Sequence, residues 1–235
     1  KICDDVGINL IFKSSFDKAN RSSINSDRGI KLDDALKIFE KIKTNFNLPI
    51  LTDVHNEDQC YQLNQDTIID IIQIPAFLCR QTDLLLAAGS TNKIINVKKG
   101  QFLSPTDVKN IFTKIETTNN KNIMITERGT TFGYNTLVND FKGIDIMKKY
   151  KYPVIFDATH SVQQPGGLGD KSGGQREHIP SLCKAATSIG IAGLFLETHN
   201  DPDNAPSDGP NMINIKELKN LLIQLKQFDD IAKNH

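Results

Sequence analysis

The sequence predicts an α/β protein of the (β/α)8 or TIM-barrel class, in one domain over residues 1–235. Three observations point there. Short runs rich in β-branched residues recur along the chain, most of them apolar on both faces, as in a parallel sheet covered by helices. Helical patterns of apolar residues lie between them. The runs end in polar residues, and a barrel of this class keeps its chemistry at the C-terminal ends of its strands. A doubly wound open sheet is the alternative that the same alternation allows.

The elements follow in order. KICDDVG (1–7) reads as the last turn of a helix, so the first strand of the eight is expected ahead of residue 1. Seven strands are expected at INLIFK (8–13), PILTDV (49–54), IDIIQI (69–74), KIINVK (93–98), NIMITE (122–127), PVIFD (153–157) and GLFLET (193–198). Leu32, Ala35, Leu36, Phe39 and Ile42 recur at helical spacing opposite Asp33, Asp34, Lys37 and Lys41, which predicts a helix over 32–46. Ser104 as N-cap, Pro105 at the first position and Asp107 in the first turn predict another over 105–116. Two more are expected over 179–188 and 215–228.

Composition excludes several functions. Lys and Arg number 28 and Asp and Glu number 28, so the basic excess of a general nucleic-acid binder is missing. No apolar run approaches the roughly 20 residues of a membrane span. The four cysteines, Cys3, Cys60, Cys79 and Cys183, show no CxxC spacing. A reducing cytoplasm and inert packing thiols are expected. Cys3 lies on the side away from the barrel mouth and is set aside as a ligand.

The strand ends carry Lys13, Asp53 with His55, Gln73, Lys98 with Lys99, Glu127 with Arg128, Asp157 with His160, and Glu197 with His199. Two chemistries show in this ring. Lys13, Lys18, Arg21, Lys98 and Arg128 form a cationic group that would repel itself unless an anion bound there, so a ligand with more than one phosphate or carboxylate is expected. His160, Glu197, His199 and Asp208 suit a divalent transition metal, although their spacing matches no compact zinc motif. GGLGDKSGGQR (166–176) lacks the P-loop spacing and reads as an active-site loop that closes over substrate.

Several strings also resemble a known family. FKSSFDKANRSS (12–23), TDVH (52–55), IQIPAFLCRQTDLL (72–85), NVKKGQF (96–102), ERGTTFGYNTLVND (127–140), PVIFDATHSVQQPGG (153–167), SGGQR (172–176) and ETHNDPDNAPSDGPNM (197–212) resemble the 3-deoxy-D-manno-octulosonate 8-phosphate (KDO8P) synthases. The related DAHP synthases typically carry a KPRTS-like string where this chain has KANRSS, so a DAHP-type enzyme using erythrose 4-phosphate is the alternative. The resemblance implies a barrel, usually a cytoplasmic homotetramer, that condenses phosphoenolpyruvate with D-arabinose 5-phosphate for lipopolysaccharide synthesis, without membrane, nucleic acid or organic cofactor. It implies that Lys18, Lys98 and Arg128 hold phosphoenolpyruvate, with Lys13 and Gln73 completing the pocket. Asn20, Arg21 and Ser22 would face arabinose 5-phosphate, and Arg80 would reach its phosphate from a neighbouring subunit. Lys18, Asn20, His160 and Asp208 would stand closest to the chemistry.

The resemblance further implies that His160, Glu197 and Asp208 are ligands of one Zn, Fe or Mn ion, on condition that a cysteine stands before residue 1. Lys98-Lys99-Gly100 and Ser207-Asp208-Gly209 favour that metal-dependent branch, because metal-independent relatives tend to read Lys-Lys-Pro and Cys-Asp-Gly.

Overall fold

The computed structural model describes residues 1–20, 24–25, 27–166, 173–205 and 207–234. Its strands in chain order are β1 (Phe12–Lys13), β2 (Ile50–Asp53), β3 (Ile71–Ile74), β4 (Ile94–Lys98), β5 (Ile123–Glu127), β6 (Thr130–Thr131), β7 (Leu137–Val138), β8 (Val154–Asp157), β9 (Gln163–Gln164), β10 (Gly173–Gly174), β11 (Gly193–Phe195), β12 (Thr198–His199) and β13 (Ile213–Asn214). The α-helices are α1 (Ile2–Val6), α2 (Leu32–Phe46), α3 (Glu57–Asn64), α4 (Thr82–Gly89), α5 (Val108–Glu116), α6 (Phe141–Lys148), α7 (Ala158–Ser161), α8 (Ile179–Ser188) and α9 (Ile215–Asn234).

One seven-stranded sheet runs β1-β2-β3-β4-β5-β8-β11. The pairs β1–β2, β2–β3, β3–β4 and β8–β11 are parallel. Every strand of it falls inside one of the seven expected runs. Each new strand joins the same growing edge, which is the order of a (β/α) barrel; a doubly wound sheet reverses direction partway. The chain therefore has the TIM-like architecture rather than the open-sheet alternative. Contacts divide it into two compact units, whose boundary cuts β5.

In the unit built from Leu10–Gly100 and Asp107–Ile125, β1 to β4 alternate with helices. β1 is shorter than expected, pairing only Phe12 with Ile50 and Lys13 with Leu51, and Leu10 and Ile11 before it are exposed. Helix α2 has the expected bounds. It buries Leu32, Ala35 and Phe39 and stops at Asn47, whose left-handed φ of 50° ends the helical path. α3 was not anticipated. Only Cys60 and Leu63 of it are buried, and its start is marked by the Asn56 carboxamide accepting from Gln59 N–H at 3.0 Å. At the N-terminal ends of these strands, Lys43 bonds Asp70 at 2.7 Å while the other Asp70 oxygen accepts from Ile50 N–H at 2.8 Å. α5 begins three residues late, because Pro105–Asp107 forms a 3-10 turn and Ser104 Oγ accepts from Thr106 N–H.

The unit of Lys1–Asn9, Gln101–Thr106 and Thr126–His235 holds β8, β11, three two-stranded ribbons and the helices around them. The N-terminal turn α1 packs on α9 through Lys219–Asp5 at 2.7 Å and Lys226 Nζ donating to Val6 O at 2.9 Å. α9 continues six residues past the expected end at Phe228. The added turns are largely polar, with Ile231 exposed, so they carry no apolar stripe; Lys233 pairs with Asp229 one turn back. Phe156 on β8 is fully buried against Phe141 of α6, ring centroids 6.0 Å apart.

Phe156→Ala should cost about 3–5 kcal/mol of unfolding free energy, the range for emptying a packed aromatic site. Urea unfolding of variant and parent checks it, and a loss under about 1 kcal/mol would show that this ring is not part of a close-packed core.

Candidate active site

In a parallel sheet, residues in register face the same side, and the side alternates along each strand. Asp53 is in register with Gln73, and Gln73 with Asn96. The three form one polar row on one face of β2, β3 and β4, all buried. Two residues beyond Asn96, Lys98 ends β4 on that face, also buried. The opposite face carries Ile72, Ile95 and Val97, fully buried. An apolar face toward helices and a buried polar row opposite are what a barrel interior near its catalytic end requires.

Asp53 is the hub of this row. Lys13 Nζ lies 3.5 Å from Asp53 Oδ1, and His55 Nε2 lies 3.1 Å from Asp53 Oδ2. Lys13 also donates to Ser15 Oγ at 2.7 Å. Burial pushes the Asp53 carboxyl upward, but Lys13, His55 and Ser15 together outweigh it and hold the group well below the usual carboxylate range. Even so, His55 Nδ1 and Gln73 Oε1 are buried without a hydrogen-bond partner among the described residues. Each such atom costs roughly 1–3 kcal/mol, which folding alone does not recover. Lys18 and Asn20 follow on a loop pinned where Lys18 N–H donates to Arg28 O at 2.7 Å and Arg28 pairs with Asp17. Asn20 is exposed, as is Arg80 after β3. Arg21 and Ser22, and most of the expected mobile loop, lie outside the described residues.

In the other unit, Arg128 follows β5 and is 6% exposed. Burial pushes its guanidinium downward, and Asp157 and Glu127 partly offset this. Nη2 donates to Gln163 Oε1 at 3.1 Å, while Nη1 is buried without a partner among the described residues. Glu127 accepts from Gly129 N–H at 2.7 Å, where φ of 93° turns the chain away from the strand.

Asp157, fully buried at the end of β8, caps α7. One oxygen accepts from His160 N–H at 2.9 Å and the other meets His160 Nδ1 at 2.8 Å. This fixes the ring so that Nε2 points at Glu197, 3.8 Å from Oε1. The Glu197 backbone is held in turn by its N–H donating to Thr159 Oγ1 at 2.8 Å. Metal bonds of about 2.0–2.2 Å leave two ligands of one ion roughly 3–4 Å apart, so this pair has the spacing and the donor types of two metal ligands. Asp208 sits in a left-handed turn with φ of 54°, and its carbonyl accepts from Asn211 N–H. No group of three His, Cys, Asp or Glu side chains stands close enough to hold an ion among the described residues. His199 turns aside, its Nδ1 engaged by the Asp201 backbone.

The strand-end pattern anticipated the charged residues. It did not anticipate Asn96, which has no charge to mark it, nor Gln163 as the partner of Arg128, 35 residues away in sequence. Burial pushes the thiols of Cys60 and Cys183 up to about 12, as expected of packing residues.

A family model described as the DAHP synthetase I family matches residues 1–234. Proteins named 2-dehydro-3-deoxyphosphooctonate aldolase are similar along nearly the whole chain. The one from Rickettsia canadensis is 57% identical over 233 residues, covering 99% of this chain and 84% of its own length. Those from Agrobacterium fabrum and Bartonella henselae are 55% and 56% identical, each covering 99% of this chain and 82% of its own length.

Asp53 is held ionised in the folded state, whereas in the unfolded chain it titrates near 3.9. Its contribution to stability is therefore complete above that value and is lost as pH falls below it. Asp53→Asn should destabilise the protein at pH 7, and the difference from the parent should shrink as pH drops below about 4. Denaturant unfolding across that range checks this; a difference independent of pH would mean that the carboxylate charge does not matter.

Proposed function

The chain belongs to the DAHP synthetase I family, and we propose that within it the protein is a KDO8P synthase. It condenses phosphoenolpyruvate, D-arabinose 5-phosphate and water to 3-deoxy-D-manno-octulosonate 8-phosphate and inorganic phosphate. The observation that carries this reading is the identity of 55–57% along 99% of the chain to proteins named for that product. The sites agree with it. Buried Lys98 and Arg128, with orphaned atoms on Arg128 and Gln73, are suited to ligands that bring negative charge and acceptor oxygens.

On this reading Lys18, Lys98 and Arg128 bind the phosphate and carboxylate of phosphoenolpyruvate, completed by Lys13 and Gln73. Asn20, Arg21 and Ser22 face arabinose 5-phosphate. Carbon 3 of phosphoenolpyruvate attacks the aldehyde carbon of the open-chain sugar. Water adds at carbon 2, and the hemiketal phosphate then expels phosphate by C–O cleavage. Cations that fix both anions within reacting distance supply part of the barrier reduction, roughly 7–11 kcal/mol at most from orientation. Asp53, pinned between Lys13 and His55, keeps Lys13 aligned.

His160 and Glu197 are the pair suited to a divalent Zn, Fe or Mn ion, with Asp208 as third ligand in this proposal. When bound, such an ion supplies Lewis acidity or lowers the pKa of a water. Asp157 holds the His160 ring with Nε2 directed toward that position.

The proposed assembly is a cytoplasmic homotetramer in which exposed Arg80 reaches the arabinose 5-phosphate of a neighbouring subunit, and the product feeds lipopolysaccharide synthesis. Among the described residues no helix is long and apolar enough to cross a membrane.

Phosphate release with phosphoenolpyruvate should depend on arabinose 5-phosphate. Release with erythrose 4-phosphate alone would transfer the chain to the DAHP activity, and release with neither sugar would leave only a binding protein. For the metal, elemental analysis of the purified protein should find about one divalent ion per chain, and His160→Ala should lose it. Equal metal content in the variant would remove His160 from the ligand set.

A further inference from the structure

Resting on the reading that Arg128 binds phosphoenolpyruvate, we propose that Gln163 is a positioning residue that sets the plane of the Arg128 guanidinium. A guanidinium presents donors only, so its contact with an amide must be to the oxygen. Gln163 Oε1 accepts from Arg128 Nη2 at 3.1 Å, which leaves Nη1, buried and without a partner among the described residues, as the prong available to an incoming anion.

Gln163 is itself held from several sides. It pairs with Gly174 across the β9–β10 ribbon. Gln175 N–H donates to Val162 O at 3.2 Å. Gly174 lies so close to buried Asn211 that a Cβ there would stand 1.6 Å from the Asn211 oxygen, so this stretch of the ribbon has one place to lie. A bidentate fork binds an anion well only when its plane is fixed in advance, because orientation is part of the affinity. Glu127 and Asp157 act on Arg128 through charge. Gln163 adds a directional bond to its terminal nitrogen.

The test is Gln163→Met, which keeps length and bulk but removes the acceptor, alongside Gln163→Asn, which keeps the amide but falls short by one methylene. Each should raise KM for phosphoenolpyruvate about tenfold or more, the scale of a lost bond to a charged donor. KM for arabinose 5-phosphate should change less than about twofold; a fall in Tm from the orphaned Arg128 donor is expected in both variants and leaves the contrast between the two substrates intact. In an Arg128→Lys background, where no fork remains to be aligned, Gln163→Met should leave the calorimetric Kd for phosphoenolpyruvate unchanged. Unchanged phosphoenolpyruvate KM in both variants would overturn the proposal, as would equal increases for both substrates or an undiminished effect in the Arg128→Lys background. The parent protein assayed in parallel separates these outcomes from a failure of the KDO8P reading, which would show as no turnover there.

Discussion

A guanidinium cannot give up its proton, so Arg128, buried at the end of β5, must have its charge balanced where it lies. The described residues supply only part of that balance. Asp157 and Glu127 lower the electrostatic cost, Gln163 takes one donor, and Nη1 has no partner among them. In the β1–β4 unit the same incompleteness recurs: Lys13 and His55 both lie against the Asp53 carboxylate, yet His55 Nδ1 and Gln73 Oε1 have no hydrogen-bond partner among the described residues. Natural proteins leave few buried polar atoms unsatisfied, and those they do leave call for an explanation. A ligand rich in charged oxygen gives that explanation for Arg128 directly.

The sheet makes this arrangement possible. Period-two alternation gives β2, β3 and β4 a helix-facing side of Ile and Val and an opposite side where Asp53, Gln73 and Asn96 stand in register. The apolar side supplies the stabilising burial, which lets the polar row be chosen for chemistry. At the other end of these strands, Lys43 and Asp70 tie helix to strand. That division between a structural end and a reactive end is the general logic of the barrel.

Strand positions were legible because each β-branched run carries a polar residue at its last or next-to-last position, and all seven runs contain a strand of the main sheet. Helices were legible only where one face was apolar. EDQCYQLN (57–64) has too few apolar residues to show a stripe, and TDLLLAAG (82–89) has too many to show one side. The charged site residues could be read from strand ends. Their partners could not. That Asp157 orients His160 follows only once a strand is known to end at Asp157 and a single helical turn to begin there. Gln163 became visible only through its distance to Arg128.

The most direct measurement is thermal unfolding with and without phosphoenolpyruvate, with a neutral sugar as control. If buried cations and orphaned atoms await an anion, phosphoenolpyruvate binds the folded state alone and stabilises it by linkage, about 2.7 kcal/mol at a concentration 100 times its Kd. The account predicts a concentration-dependent rise in Tm that falls with Lys98→Ala or Arg128→Ala, and no rise with the neutral sugar. No shift at millimolar phosphoenolpyruvate, or a shift of equal size in both variants, would contradict it.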